Sequence, residues 1–241
     1  MPKLFQELKF YFHYRKEIRN LLKILAKNNI DLQSIASYTF YKEDITNKNM
    51  TFLSIQNRIE SEMLNYLKQY PFHNIFRLYL TRNISAPQFG GTCSDRTVHF
   101  QKKMNNFFIQ NSVDFKLHIA SINGKRTHTI LRLTIEGKVY FCDIGMGYPI
   151  TKLLPSYKDI TFTSYGIEFK SIIKDNKMTV LINENKGDGE KELMIIEIEE
   201  QSQEEVKNRI KNRIEDTKDL PMAKKLRYFF IHNEQFIQIK E

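Results

Sequence analysis

The 241-residue chain contains only two cysteines, Cys93 and Cys142, six prolines and nine glycines. Two cysteines cannot build a disulfide framework, which argues against a small cross-linked secreted fold and for a reducing cytoplasm. No apolar run approaches the roughly 18 residues needed to cross a bilayer, so no membrane partner is expected. Residues 1–22, MPKLFQELKFYFHYRKEIRNLL, interleave apolar residues with charges and carry no secretory-signal pattern. A clustered basic tract is also missing. The net charge is +9, but Lys and Arg are scattered and interrupted by acids, as in KNRIKNRIEDTKD at 207–219. Nucleic acid is therefore not the expected partner, and a small anionic ligand bearing phosphates suits the charge equally well. Internal repeats, low-complexity segments and Gly/Ser linkers are absent.

What is present describes a globular chain: 41% apolar and 12% aromatic residues, enough to bury a sizeable core. Ile18, Leu21, Leu22 and Leu25 form one helical stripe, and Ile55, Ile59, Met63 and Leu67 form another that ends near Pro71. A third helix is predicted to open at Cys93, with Val98, Met104, Phe107 and Phe108 at helical intervals. Thr92 or Ser94 is its candidate N-cap, and Asp95 suits its first turn. The period then changes to two. Three apolar stretches between 115 and 147 are separated by Asn123-Gly124 and Glu136-Gly137, the signature of antiparallel hairpins. Further strands are expected over 160–184 and 190–199. A charged helix marked by Val206, Ile210 and Ile214 follows, and one last strand-like piece covers 227–240. The reading is an α+β chain with a helical lobe (1–90), a nucleophile helix with an antiparallel β lobe (91–155), and a β-rich mixed lobe (156–241).

Within this layout the stretch FGGTC, Phe89 to Cys93, is unusual. A cysteine at a helix start meets the partial positive charge and N–H groups of the helix N-terminus, which favour the nucleophilic thiolate. Two glycines before it allow a substrate or another backbone to come close. Such a thiol needs a base, and the base needs an orienting group. A turn centred on Glu136-Gly137 sets His128 opposite Gly145 and Asp143 opposite Ile130, which puts His128 and Asp143 on one side of the sheet within reach of each other. The other side carries Leu131, Leu133, Ile135, Tyr140, Cys142 and Ile144, a core face. With a two-residue turn at Asn123-Gly124, His118 faces Thr129 on the wrong side. Taken singly, each residue has an ordinary explanation: an inert buried thiol, a hydrogen-bonded structural histidine, an aspartate ending a strand before Gly145 and Gly147. Cys142 reads as core. His99, about 1.7 turns after Cys93, reads as surface. No His or Cys pair has zinc spacing, so no metal is expected.

Taken together, the three residues resemble the arylamine N-acetyltransferases, which share a Cys-His-Asp arrangement with papain-like proteases and transglutaminases. Phe89-Gly90-Gly91-Thr92 before Cys93 is similar to that family's Arg-Gly-Gly-x element. HTILRLTIEGKVYF from His128 is similar to its histidine strand, and CDIGMG (Cys142–Gly147) to its Val-Asp-x-Gly-Phe-Gly element. PFHN (Pro71–Asn74) is similar to its Pro-Phe-Glu-Asn. The likeness is firm over 89–155. The chain departs from the pattern at Phe89 for arginine, at His73 for glutamate, and at Ser94-Asp95-Arg96.

The resemblance implies an N-terminal helical lobe, a central barrel-like antiparallel β lobe and a C-terminal α/β lid, the cysteine-proteinase-like fold. It implies catalysis by Cys93, His128 and Asp143, with Phe89, Gly90, Gly91, Thr92, Gly145 and Gly147 in the substrate-binding or oxyanion region. Acetyl-CoA is the implied donor and a small-molecule amine the acceptor, with transfer through an acetyl-cysteine. Three alternatives stand beside this reading. One is an amide-forming acyltransferase fed by an acyl carrier protein. Another is a transglutaminase- or protease-like enzyme acting on a peptide. The third is a non-catalytic binding module that keeps the fold.

Overall fold

The computed structural model describes residues 51–74, 90–184, 189–216, 225 and 227–240, all within a compact unit spanning 44–241. The helical stripe expected over 14–28 and the side chain of Ile214 lie outside the described residues.

Helix α1 (Phe52–Gln69) buries Ile55, Ile59, Met63 and Leu67 as its stripe predicts. It stops before Pro71 because Tyr70 is extended, as a residue preceding proline prefers. Helix α2 (Cys93–Gln110) opens at Thr92, whose amide and hydroxyl both donate to the Asp95 carboxylate, at 3.0 and 2.8 Å. Its buried face runs through Cys93, Arg96, Thr97, Phe100, Met104, Phe107 and Phe108. Val98, expected on that stripe, lies beside it and is half-buried.

Strands β2 (Asp114–Ile122), β3 (Lys125–Ile135), β4 (Lys138–Cys142) and β5 (Leu154–Pro155) share one antiparallel sheet with β6 (Ile160–Ser164), β7 (Ile167–Lys174), β8 (Lys177–Asn183) and β9 (Lys191–Glu197). The order is β5-β4-β3-β2-β9-β8-β7-β6. Both predicted Gly turns form, with Asn123, Gly124, Glu136 and Gly137 all at positive φ, the type I′ geometry that hairpins favour. The β3–β4 register is the predicted one, Leu131 against Cys142 and Leu133 against Tyr140. The six expected core residues of this hairpin pack with α1 and α2 in one apolar cluster.

The opposite face corrects the expectation that it would present only a histidine and a carboxylate. Ile130 and Phe141 project from it into a second core, which they share with Phe169, Met178, Val180, Met194 and Ile196. These residues meet because the sheet curls round on itself, so that the inner faces of β2–β4 and β7–β9 enclose one interior in a nearly closed barrel.

The β2–β3 register corrects a second expectation. Near the turn the pairing is as predicted, Ile122 with Lys125 and Ser121 with Arg126, but a bulge follows at Ala120/Ser121. Thr127 is the extra residue, so beyond it Ala120 pairs with His128 and His118 with Ile130. A one-residue slip changes the face of every later pairing. His118 therefore lies on the same side of the sheet as His128.

The β2–β9 seam is thin, with one paired position, Ser121 with Ile195. Further along β2 the Gln201 amide takes a strand's place. It accepts from the Ile119 N–H at 2.9 Å and donates to the Ile119 carbonyl at 2.8 Å. Helix α3 (Gln203–Asp216), predicted from Val206, packs on β2 and β3 with Val206 buried.

The closing stretch is a hairpin, β10 (Arg227–His232) and β11 (Gln235–Lys240), rather than a single strand. Its turn, Asn233-Glu234, has both residues at positive φ without a glycine to announce it. The Glu234 carboxylate pairs with Lys68 of α1 at 2.6 Å. The hairpin forms a three-stranded sheet with β1 (Phe72–His73), in which Phe72 faces Phe229 and His73 faces Tyr228.

Candidate active site

The small sheet holds the glycine pair that precedes Cys93. Gly91 bridges to β1, its N–H donating to the Pro71 carbonyl and its own carbonyl accepting from His73 N–H at 3.0 Å. Gly90 has φ +84°, and a Cβ there would collide with the Pro71 carbonyl oxygen. Of the two uses foreseen for the glycines, close approach of another backbone is the one this geometry displays. The Thr92–Asp95 cap then delivers Cys93 as the first residue of α2, 8% exposed. Phe89 lies outside the described residues.

His128 and Asp143 reach the same place from the sheet. His128 follows the Thr127 bulge, whose carbonyl oxygen lies 3.9 Å from Cys93 Sγ. Bulges re-aim side chains in this way beside functional sites. Just past the end of β4, Asp143 is fully buried; its Oδ1 accepts from the Gly145 and Met146 amides at 2.8 and 3.1 Å. Its Oδ2 lies 2.9 Å from His128 Nε2. The Cys93 sulfur is near enough to act electrostatically on the same ring. Gly145 closes the arrangement from behind, since a Cβ there would stand 2.9 Å from the Thr129 carbonyl and 3.0 Å from Cys93 Cβ. Gly147 lies against the Phe72 and Phe229 rings.

Burial alone would hold His128 neutral. The charge and hydrogen bond of Asp143, with the Cys93 sulfur, outweigh it and raise the imidazole to about 10. The shift favours the protonated ring, a cation beside the Asp143 carboxylate and near the Cys93 sulfur. Such a neighbour stabilises the thiolate, the reactive form.

The other candidates sort clearly. Cys142 is core, its thiol pushed up by burial and by Asp143 and Glu60. His118 plays no part near Cys93 although it shares His128's side of the sheet: its Nε2 lies 2.8 Å from the Glu197 carbonyl, and its ring stands 5.2 Å from that of Phe141. His99, expected at the surface, is instead packed between Tyr66 and Tyr70, with Nδ1 3.0 Å from the Tyr66 hydroxyl. His73 stacks on Tyr228.

Two features escaped the sequence reading. Ser94 and Thr129 share a 2.8 Å hydroxyl contact that ties α2 to β3 beside Cys93. Arg96, three residues after Cys93 on the same helical face, is almost completely buried. Its spacing was the available signal. Among the described residues no group of three or more His, Cys, Asp or Glu could hold a metal, and no helix is long and apolar enough to cross a membrane.

No protein-family model matches the sequence, and no curated protein does either. Solved structures do match. An arylamine N-acetyltransferase from Salmonella typhimurium aligns over 77% of this chain and 72% of its own, with TM-score 0.63 and 13% identity. One from Bacillus cereus, described with a Cys-His-Glu catalytic triad, aligns over 90% and 83%, with TM-score 0.60 and 15% identity. One from Mycobacterium marinum, solved in complex with CoA, aligns over 77% and 74%, with TM-score 0.61 and 11% identity. At such identities the likeness speaks for architecture alone: the chain has the α+β, barrel-containing fold of the arylamine N-acetyltransferases.

Proposed function

We propose that the protein is a cysteine acyltransferase that moves an acetyl group from acetyl-CoA to a small primary amine, in the cytoplasm, through an acetyl-Cys93 intermediate. One observation supports the reading: His128 is hydrogen-bonded to Asp143 at 2.9 Å through Nε2, and Cys93 opens α2 close enough for its sulfur to act on the same ring. The CoA complex of the Mycobacterium marinum neighbour supports the choice of donor.

The Cys93 thiolate attacks the thioester carbonyl carbon, forming a new C–S bond. The tetrahedral oxyanion is stabilised by the Cys93 amide at the start of α2, in the wall shaped by Gly90, Gly91 and Thr92 on one side and Gly145 and Gly147 on the other. The carbonyl reforms, the CoA sulfur departs, and His128 supplies its proton. An amine then attacks the acetyl-cysteine. His128 takes the amine proton as the C–N bond forms, and Cys93 leaves as thiolate, restoring the ion pair. Asp143 keeps its charge throughout and holds the imidazolium.

Intact-mass spectrometry after incubation with acetyl-CoA tests this directly. The protein should gain the mass of one acetyl group, and the gain should disappear on adding an amine acceptor. Cys93→Ala should fold and gain nothing. Acetylation surviving in that variant would end the proposal.

A further inference from the structure

Arg96 has a surrounding that no structural role explains. It lies one helical turn from Cys93 on the buried face of α2 and is 2% exposed, among the largest fully buried side chains of the described residues. Among the described residues its Nε and Nη1 have no hydrogen-bond partner. Its guanidinium carbon stands 5.9 Å from the Tyr66 ring centroid. Burying a guanidinium with unfilled donors is strongly unfavourable unless an opposite charge compensates it.

Three groups could supply that charge: Tyr66, Asp143 and Cys93. Tyr66 is eliminated. Burial pushes its phenol well above the usual range, and its hydroxyl donates to the Arg96 backbone carbonyl at 3.1 Å, so it stays neutral. Asp143 has no oxygen to spare, with Oδ2 engaged by His128 and Oδ1 by the Gly145 and Met146 amides. Asp95, the acid beside Arg96 on its own helix, is engaged by Thr92. Arg96 therefore acts through space rather than by a bidentate bridge. Burial pulls it down, yet only to about 10, so it keeps its charge at neutral pH.

We infer that Arg96 is a positioning residue, a buried fixed cation that offsets the Asp143 carboxylate and holds the Cys93 sulfur anionic. The inference rests on the acyltransfer reading for its purpose, but its test does not require turnover. The groups that act on the Cys93 sulfur or on its partners are His128 from β3, Asp143 after β4, and Arg96 from α2, whose own neighbours are Tyr66 from α1 and the adjacent Asp95. Of these, Arg96 is the one cation besides the imidazolium.

The test compares the pH dependence of Cys93 alkylation by iodoacetamide, located by peptide mapping, in the full chain and in Arg96→Met and Arg96→Lys. Cys142 serves as the internal buried control. The unsubstituted protein should label through a thiolate well below the ordinary cysteine range. In R96M the acid limb should rise by about one pH unit, so labelling on that limb slows about tenfold. R96K should stay within a few-fold of the original. Should R96M fail to fold, Arg96→Gln carries the same comparison. A low acid limb that does not move in R96M overturns this inference and leaves the acyltransfer reading standing. An ordinary thiol profile in the unsubstituted protein removes both.

Discussion

In the proposed mechanism the imidazole of His128 works between Cys93 and Asp143, and its two nitrogens have two distinct duties. Because Asp143 Oδ2 accepts from Nε2, the proton of a neutral ring stays on Nε2, and Nδ1 keeps a lone pair toward the sulfur. Asp143→Asn reverses this. An amide NH2 facing Nε2 makes that nitrogen an acceptor and moves the ring proton to Nδ1, where it can no longer take one from the thiol. Asn can still accept from the Gly145 and Met146 amides, so the fold should survive. Single-turnover mass spectrometry should find acetyl-Cys93 formation slowed by about 10³–10⁴-fold, the size of effect that the same exchange has in serine protease triads. A loss of less than tenfold would mean that the carboxylate does not set the tautomer. The three residues are legible in the sequence because glycines and a helix start mark Cys93, while a Gly-containing turn fixes the register that joins His128 to Asp143. Arg96 is not legible in the same way. A charged residue in a helix's first turn looks solvated until the packing of α1 against α2 closes over it.

At the scale of elements, the parts announced by glycine or by apolar period form where expected, and the parts set by tertiary contact do not. The Asn123-Gly124 and Glu136-Gly137 turns state their geometry outright. The turn at Asn233-Glu234 does not, because both residues adopt the left-handed conformation without a glycine between the strands. The extra residue Thr127 is equally silent, as no side-chain pattern separates a bulged strand from a regular one. That bulge turns His118 inward, where burial lowers it to about 4. Arg132 and Arg126 add to this, and the Glu197 carbonyl and Glu200 oppose it. A histidine depressed below its unfolded value near 6.5 contributes stability that is fully present above pH 6.5 and drains away as pH falls toward 4. The amount is roughly 3 kcal/mol for a shift of this size. Urea titrations at pH 7 and pH 4.5 should therefore differ more for the unsubstituted protein than for His118→Gln, whose amide can still donate to the Glu197 carbonyl. Equal pH dependence in the two would place the titrating group elsewhere.

For the molecule as a whole, the sheet is continuous on either side of one seam. From β4 to β2 and from β9 to β6 the strands are joined by ladders of five or more pairs, and β5 adds two pairs to β4. Between β2 and β9 there is one paired position, supplemented by Gln201, Gln203 and His118 bonding to backbone groups. The curl that brings Ile130 and Phe141 against β7–β9 could not be foreseen from alternation, which tells a strand's two faces apart but not which of them will be roofed by another part of the same sheet. A cylinder stitched along one line by amide side chains should part along that line first when thermal fluctuations open it. In native-state hydrogen exchange the amide of Ile119 should lose its protium before those at the centre of β3, and Gln201→Ala should hasten it selectively. The barrel would then possess a hinge-like weakness beside α3, a place where the wall loosens while β3 and α2 stay anchored.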